Sequence, residues 1–215
     1  MQTQHIRKQI RQAVAHETKT GTVAQLYRQA CRASGQKPTE VDVQGAVGFV
    51  REYVEHAPAL LEALETAARQ AGVTQEVAPV LEAAENYFHQ PMDFIPDQLG
   101  LTGLTDDAYV AHVLVQKVAE QYHQRTGRRL LPLPMDLAQA NAMMRRLIGE
   151  PIASQLDNAV NQTFGAPMLQ QVLQRLMQWN ATLPVGRDPI WGNASINDVV
   201  NTKMALVTSS YSPQW

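Results

Sequence analysis

The amino-acid sequence predicts an all-α fold, a multi-helix bundle of about nine or ten helices. Apolar side chains recur at every third or fourth position in nearly every window, and the alternating pattern that is typical of strands does not recur. Glycine and proline residues separate these apolar stripes, where they are expected to end helices. With 215 residues, of which 45% are hydrophobic, the chain is long enough to bury a core.

The N-terminal part of the chain predicts three helices. The first lies near residues 4–16, and Thr22 is expected to cap the second, which ends at Gly35. Thr39 opens the third helix, whose valines share one face: Val43, Val47, Val50 and Val54. Gly45 and Gly48 weaken this helix, and close approach of another helix would explain their presence.

Pro58 is expected to end the third helix, because an internal proline removes a hydrogen bond and clashes with the preceding turn. The fourth helix then carries Leu60, Leu61, Leu64 and Ala68 and stops at Gly72. A fifth helix carries Val77, Val80, Leu81, Ala84, Tyr87 and Phe88. A long helix is expected from Thr105 to about Arg125, before Gly127.

Residues 128–134, with two prolines in seven positions, cannot continue this helix and indicate a boundary. We therefore predict a helical domain over 1–127 and a C-terminal helical region over 128–215, although the two could form one continuous domain. The second region predicts helices at 136–148, 152–164, 169–183 and 195–207, followed by an irregular tail.

The segment between residues 87 and 107 is rich in proline, glycine and aspartate. In order, it contains Pro91, Asp93, Ile95, Pro96, Asp97, Gly103, Asp106 and Asp107. With this pattern, residues 84–118 resemble the YkvA-like family of small bacterial helical proteins, although Gly100 and Thr105 stand where that family has proline and an apolar residue. The resemblance implies a helical hairpin with a stiff connector, and it implies no activity.

The aspartates of this segment have two interpretations. Thr105, Asp106 and Asp107 stand where side chains cap the free N–H groups of a helix and meet its positive dipole end. Alternatively, four carboxylates in one short loop are typical ligands for a divalent cation such as Mg²⁺ or Ca²⁺, with His89 and His112 as further ligands. That site would comprise Asp93, Asp97, Asp106 and Asp107.

Motifs for phosphate loops, dinucleotide binding, zinc proteases and serine hydrolases do not occur, so the sequence favours a non-enzymatic role. The six histidines are dispersed, and each alone is typical of a surface or core residue. Cys31 is the single cysteine and is expected to be a small buried apolar residue, which excludes an internal disulfide.

Charge is unevenly distributed along the chain. Residues 1–40 carry 7 basic and 2 acidic side chains, residues 41–120 carry 3 and 13, and the remainder carries 8 and 5. This segregation either orients the protein against a charged partner or a second copy, or reflects solvated faces within one fold. The arginine pairs Arg128 with Arg129 and Arg145 with Arg146 could contact phosphates, but a nucleic-acid partner is not favoured in a chain of net charge −2.

Trp191, Tyr211 and Trp215 stand in a predicted loop and tail, where aromatic residues often anchor interfaces. The sequence contains no secretory signal and no transmembrane segment, which predicts a cytoplasmic protein and leaves only peripheral membrane contact open. We therefore favour a non-enzymatic helical interaction or scaffold module that binds another protein or itself. The alternatives are a divalent-metal-dependent hydrolase at the aspartate loop and a nucleic-acid-binding protein that uses the arginine pairs.

Overall fold

The computed structural model describes residues 3–70, 74–89, 94–127, 130–131 and 137–163. All regular structure in these ranges is helical, which confirms the predicted all-α bundle. The α-helices are α1 (Thr3–Thr20), α2 (Thr22–Ala33), α3 (Glu40–Gln70), α4 (Thr74–Tyr87), α5 (Thr105–Thr126), α6 (Leu137–Ile148) and α7 (Ile152–Thr163). The helices predicted at 169–183 and 195–207 lie outside the described residues.

The two long helices α3 and α5 form the centre of the bundle. Helix α3 packs against α1, α2, α4 and α5, and α5 packs against α4, α6 and α7. One hydrophobic core follows these contacts from Ile6 in α1 to Val160 in α7. The division into 1–127 and 128–215 stays a prediction, because most of the second region lies outside the described residues. Within the described part of the chain, no helix has the length and apolar character needed to cross a membrane.

The expected break at Pro58 is wrong, since α3 continues through this proline. Pro58 itself is buried, and the apolar stripe before it stays in helical phase with the stripe after it. The buried residues run on as Val50, Tyr53, Val54, Ala57, Leu60, Leu61 and Leu64. Burial of apolar side chains on both sides of Pro58 offsets the roughly 3 kcal/mol cost of an internal proline. The helix count is lower than predicted in this region because two expected helices are one.

Helix starts depend on side chains that reach the free backbone N–H groups. Thr39 and Asp42 form a reciprocal cap at the start of α3, with Thr39 Oγ1 accepting from the Asp42 N–H at 3.2 Å and Asp42 Oδ2 accepting from the Thr39 N–H at 2.7 Å. The start of α3 at Thr39 is thus confirmed. The predicted cap at Thr22 is wrong, because the buried Glu17 carboxylate accepts from the Val23 N–H with both oxygens at 3.1 Å.

Three further sequence expectations can be compared with the structure. Gly35 and Gly127 end α2 and α5 in left-handed conformations, at φ 75° and 68°, as predicted. Cys31 is buried as expected, and burial raises the pKa of its thiol. The explanation offered for Gly48 is wrong, because a Cβ built there would meet nothing within 4 Å.

Candidate functional site

The connector between α4 and α5 is described from Phe94 onward and folds into two short 3-10 turns, Asp97–Leu99 and Thr102–Leu104. Gly100 lies between the turns at φ +67°, a backbone conformation that side chains other than hydrogen rarely permit. Ile95, Leu101 and Leu104 are buried, so the connector is anchored by its own apolar side chains. The stiffness that the family resemblance implies for this connector stays a prediction.

Polar side chains at the start of α5 point back to the connector. The Asp106 carboxylate is fully buried, and its Oδ2 accepts a hydrogen bond from the Ile95 N–H at 3.0 Å. Thr105 Oγ1 donates to the Thr102 carbonyl at 2.7 Å. These two bonds join the connector to α5, and the N-cap residue Leu104 makes no side-chain cap bond. Asp106 and Asp107 lie in the first turn of α5, as expected for residues that meet the positive end of the helix dipole.

The four aspartates of the predicted metal site are only partly described. Asp106 and Asp107 lie next to each other at the buried start of α5, while Asp93 lies outside the described residues and Asp97 is described only as part of a turn. Among the described residues, no group of three or more histidine, cysteine or carboxylate side chains is arranged to hold a metal ion. The divalent cation site and the hydrolase that depends on it stay predictions.

Of the predicted phosphate-contacting and aromatic residues, only some lie in the described part of the chain. Arg145 lies in α6 and is paired within the fold, with its Nε 2.8 Å from Asp157 Oδ2 and its Nη2 2.7 Å from Glu150 Oε1. Arg146 is exposed in the last turn of α6. Outside the described residues lie Arg128, Arg129, Trp191, Tyr211 and Trp215.

A buried polar cluster joins α3, α5 and α6, and sequence analysis missed it. We use this name for Tyr53, His56, His112, Gln116 and Asn141. The Tyr53 hydroxyl donates to Asn141 Oδ1 at 2.5 Å, and Asn141 Nδ2 donates to Gln116 Oε1 at 2.5 Å. The Tyr53 ring stacks on the His112 ring with 4.1 Å between centroids, and the His56 centroid is 5.7 Å from that of His112.

Burial determines the protonation state of both histidines in this cluster. It lowers the pKa of His112 to about 3, with the neighbouring His56 acting in the same direction, and it lowers the pKa of His56 to about 4. His112 Nδ1 lies 2.7 Å from the Ala108 carbonyl, which can only accept, so Nδ1 carries the proton of the neutral ring. Burial also raises the pKa of Tyr53 well above its usual value.

Tyr53, His112 and Asn141 of this cluster are buried, while His56 and Gln116 are half-buried at its edge. Tyr53 and His112 are 0% exposed, so no substrate reaches them in this structure. The cluster connects three helices through directed bonds and stacked rings, and its neutral histidines make the folded state sensitive to acid. A sequence signal for it does exist, because each of these polar residues interrupts an otherwise apolar helix face.

An open groove of about 350 Å³ lies between α1 and the connector. We call it the amide groove, and its lining residues are Gln9, Gln12, Ala13, His16, Gln98, Gly100 and Leu104. Its floor is formed by the buried residues Ala13, Gly100 and Leu104, while its polar rim is exposed to solvent at Gln12, His16 and Gln98.

Close packing of the connector on α1 forms one end of this groove. A Cβ at Gly100 would lie 2.7 Å from His16 Cδ2, so only glycine permits the observed approach. Gln9 also lines the groove, and its Oε1 is buried and accepts no hydrogen bond from the described residues. The amides that the groove presents to solvent are those of Gln12 and Gln98.

In comparisons with protein-family models, with curated proteins and with solved structures, nothing matches this chain. The resemblance of residues 84–118 to the YkvA-like family therefore stays a prediction from the motif alone.

Proposed function

We propose that this chain is a non-enzymatic helical module for protein–protein interaction, and that the amide groove is the surface it presents to a partner. The observation that carries the proposal is the groove itself, which combines a buried apolar floor with exposed amide side chains. Interfaces have this composition, with apolar contact at the centre and polar groups at the rim.

The elements that form the groove are anchored to the core, which favours binding. Asp106 ties the connector to α5 through Ile95, and Gly100 packs against His16 of α1. A surface that is already in its binding shape loses little conformational entropy when a partner arrives. The stiffness of the connector thus supports a recognition role for its outer side.

Charge segregation supports the same proposal from the sequence. The acidic segment 41–120 follows a basic segment 1–40, and complementary charge steers partners and selects among them. Trp191, Tyr211 and Trp215 are proposed as a second contact region, in keeping with the enrichment of aromatic residues at interfaces.

Site-specific photocrosslinking in the cell of origin tests the proposal. A benzophenone amino acid replaces Ala15, which is exposed one helical turn from Gln12 at the rim of the groove. The matched control replaces Ala59, an exposed alanine on α3. We expect a discrete crosslinked protein from position 15 that is absent from position 59 and is lost when Gln12→Arg is added. Identical crosslinking from both positions, or none from position 15, contradicts the proposal.

Self-association is a specific form of this proposal, with a second copy as the partner. Truncation after Thr208 removes Tyr211 and Trp215, and we expect it to lower the apparent mass in size-exclusion chromatography. An unaltered mass would limit the proposal to a different protein as partner.

A further inference from the structure

We propose that His5 and His89 bind one zinc ion, and that the ion links the first turn of α1 to the end of α4. Helix α1 packs on α3, and α4 packs on α3 and α5. His89 lies in the turn that follows α4, where its N–H donates to the Asn86 carbonyl at 3.1 Å. This site is separate from the lining of the amide groove and does not depend on the proposed function.

The rings of His5 and His89 are neighbours across two helices. Their centroids are 4.8 Å apart, and the ring planes are tilted by 42°. Because the lone pair of an imidazole nitrogen lies in the ring plane, a metal ion lies in the plane of each ring that binds it. The tilt makes the two planes converge on one side, which parallel stacking would not do.

Only a small movement of the side chains is needed to complete the site. Zn–N distances of about 2.1 Å place two ligand nitrogens about 3.4 Å apart on a tetrahedral ion. Both histidines are exposed, so their rings turn readily about the side-chain bonds. Neighbouring rings with these centroids therefore reach the separation that one shared ion requires.

A carboxylate stands next to His89 in the position of a supporting group. Glu85 Oε1 lies 3.7 Å from His89 Nε2, one helical turn earlier in the chain. Histidines that bind a metal commonly direct their other ring nitrogen at a carboxylate, which fixes the tautomer and the ring orientation. Glu85 thus leaves His89 Nδ1 for the metal. Since no group of three histidine, cysteine or carboxylate ligands occurs in the described ranges, water completes the coordination.

The ligand atoms determine the class of cation. Neutral imidazole suits zinc, copper and nickel, whereas magnesium and calcium prefer oxygen ligands. Zinc accepts a tetrahedral arrangement of histidine nitrogens and water, and the exposed position of the site keeps water within reach. The site therefore differs in chemistry from the aspartate site that the sequence predicts, in which His89 is only a further ligand.

Isothermal titration calorimetry of the untagged full chain with zinc chloride at pH 7.5 tests the proposal. We expect one zinc ion per chain with a micromolar Kd, and at least tenfold weaker binding for His5→Ala and for His89→Ala. His16→Ala is the matched control, since His16 is an exposed histidine of the same helix, and its Kd should be unchanged. Glu85→Gln should weaken binding about tenfold, because the carboxylate that orients His89 is lost.

The double variant of His5→Ala with His89→Ala separates one shared ion from two independent sites. If the rings share an ion, the double variant binds no more weakly than either single variant, because each single substitution already breaks the chelate. The proposal is overturned by equal binding of His5→Ala and His16→Ala, or by no binding at micromolar zinc. Two zinc ions per chain, one lost with each histidine, would overturn it as well.

Hydrogen exchange tests whether the ion links the two helices. We expect zinc to slow exchange of the amides in the first turns of α1 in the unsubstituted chain and to leave it unchanged in His89→Ala. Because His89 lies outside α1, this result requires a connection between the two elements. Zinc binding that leaves exchange in α1 unaltered overturns the link.

Discussion

The buried polar cluster and the amide groove place similar side chains in different surroundings. In the cluster, the Asn141 side chain accepts a hydrogen bond from Tyr53 through its Oδ1 and donates one to Gln116 through its Nδ2. Asn141 is only 5% exposed. In the groove, the Gln12 and Gln98 amides face solvent, and the buried Gln9 Oε1 accepts nothing from the described residues. An amide that has its partners inside the fold stabilises it, whereas an amide that faces solvent bonds to water in the unbound protein.

This difference leads to unequal expected effects. Substitutions in the buried polar cluster, or in the hydrogen bond that holds the connector to α5, should alter the free energy of unfolding. Changes at the rim of the groove should alter binding and leave stability nearly unchanged.

Acid should have the largest effect, through the two neutral histidines. The unfolded chain binds a proton at each near pH 6.5, whereas the folded pKa is about 4 for His56 and about 3 for His112. Between these values the unfolded state holds more protons, so stability is complete above pH 6.5 and falls as pH is lowered. At pH 5 the expected loss is roughly 2 kcal/mol per histidine.

Urea denaturation from pH 7.5 to 5 measures this loss. His112→Gln should reduce the slope of stability against pH, whatever its effect at pH 7.5. A slope that is unchanged in this variant would show that the pKa of His112 is the same in the folded and unfolded chains, which would contradict a neutral His112 in the fold at pH 5.

Removal of the Asp106 carboxylate should have the next largest effect. Asp106→Leu leaves the buried Ile95 N–H without its acceptor, which should cost roughly 2 to 3 kcal/mol. Asp106→Asn is the matched control, because its amide oxygen can still accept from Ile95, and it should cost less. Equal losses for the two variants in urea denaturation would argue against this hydrogen bond as the anchor of the connector.

Gly100→Ala should cost about 2 kcal/mol, because alanine is strained at φ +67° and its Cβ would meet His16. Gly127→Ala is the control for strain alone, since Gly127 has φ +68° with nothing within 4 Å of a Cβ. We expect a larger loss of melting temperature at position 100. When His16→Ala is also present, the losses of melting temperature at the two positions should become similar. A difference that persists would contradict the close approach of Gly100 to His16.

Tyr53→Phe should cost about 1 kcal/mol, because it removes the hydroxyl that donates to Asn141. Tyr109→Phe is the comparison variant. It removes a hydroxyl whose hydrogen bond to Asp157 Oδ1, at 2.7 Å, is only partly buried. A double-mutant cycle of Tyr53→Phe with Asn141→Ala measures the coupling directly. Additive effects would indicate that the two side chains do not interact in solution.

Gln12→Arg should have the smallest effect on stability, within about 0.5 kcal/mol, since the side chain is exposed. Thermal unfolding compares it with the matched control Gln29→Arg, since Gln29 is exposed on α2 and outside the groove lining, and the two variants should behave alike. A large loss for Gln12→Arg alone would make the groove part of the stabilising core and weaken the comparison with the cluster.

The sequence predicts the helices best where a local signal determines them. The cap at Thr39 and the glycines at 35 and 127 act through the neighbouring backbone, and the structure confirms them. The helix end predicted at Pro58 is wrong because the apolar stripe continues in phase across it, and burial of that stripe outweighs the local cost of the proline. The cap predicted at Thr22 is wrong because the side chain that accepts from the first turn of α2 is Glu17, which belongs to the preceding helix.

The candidate sites were harder to predict because they depend on tertiary contacts. Tyr53 and Asn141 are 88 residues apart in sequence, so no local pattern joins them. The amide groove joins α1 to the connector, and single glutamines on a helix surface carry no signal of their own. Asp106 was recognised as significant, but its partner Ile95 lies 11 residues earlier and became apparent only in the folded chain.

The most direct test of the proposed function is the affinity of the protein captured from position 15, produced separately and measured by isothermal titration calorimetry. We expect at least a tenfold weaker Kd for Gln12→Arg than for the unsubstituted chain, and an unchanged Kd for Gln29→Arg. Equal affinities for all three chains would contradict recognition through the amide groove.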